Sequence, residues 1–174
     1  MIEPIMVVAL AAVLATAVWT DLRSSRIPNW LTFPAMCFAL AGHAWLGGPS
    51  EAIFSLEGLG AGLGLFLIPY MSKGIGAGDV KLLAAVGAIV GPYGVLLSGL
   101  LAVLVGGVYA VGAMCYQWGF AGAGRKLAGA TIGFFLTGGK DCAQDLALPF
   151  RLRYGLAVAG GTLLFVFGLH PFGE

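Results

Sequence analysis

At 174 residues, 59% hydrophobic and only 10% charged, with a mean hydropathy of +0.95, the chain carries more apolar side chain than a water-soluble domain can hide. The bilayer must therefore act as solvent for most of it, and the fold class expected is an all-α integral membrane protein. A formal net charge of +1 excludes a general nucleic-acid role, and beyond that only the placement of the charges is informative.

Apolar runs long enough for a membrane helix of about 20 residues are read at about 3–20, 30–47, 51–72, 94–117 and 154–170. A shorter run at about 79–92 lies between the third and the fifth; at about 1.5 Å per residue it barely spans the hydrocarbon. The start Met-Ile-Glu-Pro has no basic stretch before its apolar run, so it reads as a retained first span rather than a cleaved signal peptide. The glycine ladder Gly58, Gly60, Gly62 and Gly64 supplies two small-xxx-small pairs, a pattern that lets helices approach closely in lipid. Residues 118–153 form one long connection, whose apolar but glycine-interrupted middle, Leu127 to Thr137, is expected to lie along the cytoplasmic interface. Cys37, Cys115 and Cys142 show no CxxC spacing and read as free, structural thiols.

The basic residues decide whether the short run crosses. All nine lie in three groups: Arg23 and Arg26; Lys73 and Lys81; and Arg125, Lys126, Lys140, Arg151 and Arg153. With six spans in a single domain 1–174 and the N-terminus external, every one falls on the cytoplasmic side. With five, the last group falls outside, against the positive-inside rule. Six spans are expected.

This topology has a chemical consequence. Asp21 ends the first span as the chain arrives inside, and Asp79 begins the fourth as it leaves, so both carboxylates sit at one border on different helices. Two carboxylates brought together share one proton, because both ionise together only at high cost. One then takes a proton from water while the other donates a hydrogen bond to a peptide carbonyl, and no metal or cofactor is called for. Asp79 follows Gly74-Ile75-Gly76-Ala77-Gly78, where Gly76 and Gly78 admit close approach of a peptide backbone and unusual dihedrals. The plainer alternative is that Asp79 is an N-cap and Asp21 merely ends a helix; a shared membrane border favours function.

Two segments carry a family likeness. Asp21-Leu22-Arg23-Ser24-Ser25-Arg26-Ile27-Pro28-Asn29 resembles the first catalytic motif of the type IV prepilin peptidases, and Gly76-Ala77-Gly78-Asp79-Val80-Lys81-Leu82-Leu83 resembles their GxGD motif. The likeness is greatest to the short Flp/Tad-type enzymes, since the chain has neither the paired CxxC motifs nor the N-terminal region of the longer, N-methylating relatives. The resemblance implies that Asp21 and Asp79 are the catalytic aspartates. It also implies that the substrate is a prepilin or pseudopilin, cut at the cytoplasmic face of the inner membrane between a short basic leader and a hydrophobic helix. One departure is Arg153-Tyr154-Gly155, where family members often read Pro-Tyr-Gly.

Asn29 and Lys81 are candidates for orienting substrate or supporting the acid pair, against the alternative that Asn29 caps the second helix and Lys81 reaches to the interface. Asp141 and Asp145 read as solvated loop charges, and His43 and His170 fall near the external side, too few for a metal site. Gly139-Lys140 lacks the flanking residues of a phosphate loop. The rival from another class is a small transporter or proton-conducting subunit, which requires acids near the bilayer midplane, commonly within repeats; an archaeal preflagellin peptidase is an alternative within the same chemistry. Oligomeric state leaves no mark in the sequence.

Overall fold

The computed structural model describes residues 4–71, 75–137 and 154–169. Every element among them is helical: α1 (Pro4–Ser24), α2 (Asn29–Met71), α3 (Ala77–Thr137) and α4 (Tyr154–Leu164), the last extended by a π-helical turn, Phe165–Leu169. Three stretches, Pro4–Ser24, Asn29–Met71 and Ala77–Gly119, are long and apolar enough to cross a bilayer.

The long helices are broken by glycines. Gly48 (φ 72°, ψ −160°) divides α2 into arms 29–47 and 49–71, while Gly91 (φ 78°, ψ 179°) and Gly119 (φ 69°, ψ 167°) divide α3 into arms 77–90, 92–118 and 120–137. These dihedrals are essentially open to glycine alone. At the first two breaks the next residue is Pro49 or Pro92, which disfavours helix before it and is preorganised to start the new arm.

At Gly91 the chain folds back: Gly87 faces Val95, and Gly99 faces Leu65 and Leu83. The second arm of α2 runs antiparallel to the first arm of α3, with Gly58 against Gly87 and Gly62 against Leu83 and Ala84. α4 runs antiparallel to the second arm of α3, with Tyr154 against Gly106, Gly161 against Ser98 and Ala102, and Phe165 against Gly94. Gly42 of α2 packs on Met6 of α1. The glycine ladder therefore divides its labour: a methyl group on Gly58 or Gly62 would strike the backbone of α3, whereas one on Gly60 or Gly64 would meet nothing within 4 Å.

The first arm of α3 is the core of the bundle. Residues 82–90 are all buried, as expected of a segment with no polar face. At 14 residues this arm is about 21 Å long, short for a lipid-facing span, and it is sheathed by the other helices instead. Polar groups in the interior bond locally: Ser55 Oγ donates to Ala88 O at 2.7 Å, and Thr162 Oγ1 to Val158 O at 2.8 Å. The outside is apolar. Exposed Trp19, Trp30 and Tyr70 ring the end that carries Asp21 and Asp79, and exposed Trp45 and Tyr93 the other end, the positions aromatic residues take at membrane interfaces.

Within the connection 118–153 the chain is helical as far as Thr137, because after Gly119 it holds Ala and Leu without proline. Residues 138–153, with Asp141, Asp145, Cys142 and Gly139-Lys140, lie outside the described residues, as do Glu3, Lys73, Gly74 and His170. Cys37 and Cys115 are free thiols, as expected.

Candidate active site

Asp21 lies in the last turn of α1. The helix ends one turn later, where Ser25 takes a left-handed conformation (φ 50°) and its N–H bonds Asp21 O at 2.9 Å. Thr16, Thr20 and Ser24 donate their hydroxyls to carbonyls of the preceding turn, so these three hydroxyls are satisfied within the helix. Asp21 is only 6% exposed, an uncommon burial for an acid.

Asp79 sits in the first turn of α3, half-buried, but it is not the N-cap. Helix α3 begins at Ala77, and Gly76 occupies the cap position. Asp79 is the third helical residue, and its Oδ2 accepts a hydrogen bond from Gly76 N–H at 3.3 Å while its own N–H bonds Gly76 O at 3.1 Å. This is the backward half of a capping box. It fixes the carboxylate over the N-terminal end of the helix, where the helix dipole favours negative charge.

Gly76 and Gly78 serve close approach and not special dihedrals; neither has positive φ. An ideal Cβ at Gly78 would stand 3.0 Å from Ile27 Cβ and 3.3 Å from Ile27 N and O, and one at Gly76 would stand 3.1 Å from Asp79 Oδ2. What approaches Gly78 is thus the chain's own Ile27, part of the other motif. The two segments are joined again one turn along, where Lys81 Nζ donates to Asn29 Oδ1 at 2.9 Å and lies 5.2 Å from the centre of the Phe33 ring. Asn29 and Lys81 are therefore partners, stapling the start of α2 to the start of α3.

The third side of the site comes from α4, whose residues the sequence marked only as the entry to the last span. Gly155 is buried against Asp21; an ideal Cβ there would be 2.8 Å from Asp21 Oδ2. Its neighbour Tyr154 is half-buried, its ring lying where a Cβ on Gly106 would be 3.1 Å from Cε1. Topology was the available signal, since α4 begins at the same border as the acids. At the opposite end of the bundle, His43 stands apart from this site: its Nε2 bonds Ile89 O at 3.1 Å and its Nδ1 lies 3.4 Å from Glu51 Oε2.

No curated protein matches the chain, and no solved structure does. The sequence pattern of the type IV leader peptidase family matches residues 8–111, more than half of the chain and a stretch that includes both acids and the glycines before Asp79. The chain belongs to the type IV leader peptidase family.

Proposed function

We propose that the protein is a membrane-embedded aspartic endopeptidase in which Asp21 and Asp79 share one proton and remove the basic leader from Flp/Tad-type prepilins or pseudopilins. The observation that carries this reading is that the two segments bearing the acids meet at one end of the bundle, Ile27 against Gly78 and Asn29 on Lys81, while the family supplies the reaction class. Six spans, with the acids at the cytoplasmic border of the inner membrane, follow from the positive-inside rule. The chain reverses at Gly48, where His43 meets Glu51 and the Phe54 ring, and again at Gly91, and these reversals support that count.

In this mechanism one carboxylate is ionised and accepts a proton from water as its oxygen bonds to the peptide carbonyl carbon. The other, protonated, donates to the carbonyl oxygen, giving a tetrahedral diol with no covalent enzyme intermediate. Collapse breaks the C–N bond, and the amine leaves with a proton returned by the dyad. A transporter requires its acids along a path through the bilayer; here both lie at helix ends facing one border, which favours the peptidase.

The test is co-expression with a prepilin whose leader ends in glycine, comparing wild type with Asp21→Asn and Asp79→Asn after membrane insertion has been checked. Loss of leader cleavage in both inserted variants supports the dyad. Cleavage at the wild-type rate by either one removes that acid from the mechanism.

A further inference from the structure

We infer that Gly155 is a positioning residue of the dyad, its missing side chain seating Asp21. The inference rests on the dyad reading but draws on residues beyond 8–111, outside the stretch that the family pattern matches.

Gly155 is buried, and its missing side chain is the space that Asp21 occupies. A Cβ there would lie 2.8 Å from Oδ2 and 3.2 Å from both Cβ and Cγ of Asp21. Asp21 cannot retreat easily, because it is itself buried and its backbone carbonyl is fixed by Ser25 N–H. Any side chain at 155 therefore rotates the carboxylate or pushes α4 away from α1. The neighbouring Tyr154 fixes the start of α4 from behind: its Cε1 would be 3.1 Å from a Cβ on Gly106, so the absent side chain of Gly106 leaves the half-buried ring its place. The last helix thereby sets where Asp21, standing on α1, holds its carboxylate. Chemistry that needs reacting groups aligned is steeply sensitive to displacement of this kind.

The experiment uses the full-length protein with the same prepilin, and follows kcat and KM alongside the infrared carboxyl bands of the two acids. The bands are assigned by their loss in Asp21→Asn and Asp79→Asn. Gly155→Ala should lower kcat by at least about tenfold with KM nearly unchanged, and should move the Asp21 band. Gly160→Ala, whose Cβ would meet only Val105 Cγ1 at 3.6 Å, is the control and should change neither. If Gly155→Ala does not fold, the added change Asp21→Ala, which withdraws Oδ2 and Cγ from the clash, should restore folding, and failure to restore it overturns the inference. Unmoved bands with near-normal kcat, while both aspartates remain essential, overturn the inference. Full activity of Asp21→Asn or Asp79→Asn instead overturns the dyad itself, so the two failures are distinct.

Discussion

Replacing Gly62 by alanine should open the seam between α2 and α3, whereas the same change at Gly60, two residues away, should not. The methyl at 62 would stand 2.6 Å from Leu83 O and 2.9 Å from Ala84 Cα. Carbon and oxygen approach to about 3.3 Å at best, so the arms must part by about 0.7 Å. Both sides of the clash are backbone, and no rotamer can relieve it. Parting by that much forfeits part of the dispersion energy along the seam, and overpacking of this kind costs about 1–3 kcal/mol. Alanine recovers up to about 1 kcal/mol over glycine in a helix. The net loss at 62 is therefore about 0–2 kcal/mol, while Gly60→Ala, with nothing within 4 Å, keeps only the gain. Thermal unfolding in one detergent should separate the two variants by roughly 5–10 °C. Leader cleavage should also weaken in Gly62→Ala, because Leu83 lies one helical turn after Asp79. Equal melting shifts for the two variants would refute the antiparallel packing of α2 on α3.

Three further outcomes rest on other contacts. Gly91→Ala should destabilise more than Gly119→Ala: both force a side chain into a glycine-only conformation costing about 1–3 kcal/mol, but at 91 the methyl also strikes the Phe54 ring, and denaturation midpoints would show the difference. Asn29→Ala and Lys81→Met should each cost less than about 1 kcal/mol, as expected for an exposed hydrogen bond. The double variant should be scarcely worse than either single one, and additive losses would show that the staple is not a pair. His43→Ala should lower the melting temperature by the equivalent of about 1 kcal/mol without changing leader cleavage, since its partners Ile89 and Glu51 lie at the far end of the bundle; a selective loss of activity would contradict that separation.

The sequence discloses what local chemistry controls. Composition sets the membrane class. Gly48-Pro49 and Gly91-Pro92 mark the reversals, since no other residue pair so combines an open dihedral with a helix start. The two acidic motifs were legible from charge placement, and their residues Ile27, Gly78, Asn29 and Lys81 do meet. Less legible was anything decided between distant segments. That Gly58 and Gly62 face α3 while Gly60 and Gly64 face outward depends on which side of α2 is covered. That Asp79 is the third helical residue, with Gly76 as cap, depends on where the turn closes. The part of α4 was hidden because Gly155 acts by adjacency to Asp21: a glycine states no contact until its neighbour is known.

The central claim, that Asp21 and Asp79 act as one unit, is tested most directly by a double-mutant comparison of single-turnover leader cleavage. Groups that work on the same step are strongly non-additive. The account predicts that Asp21→Asn, Asp79→Asn and the double variant all fall to the same residual rate. Losses that multiply in the double variant would show two independent acids and contradict it.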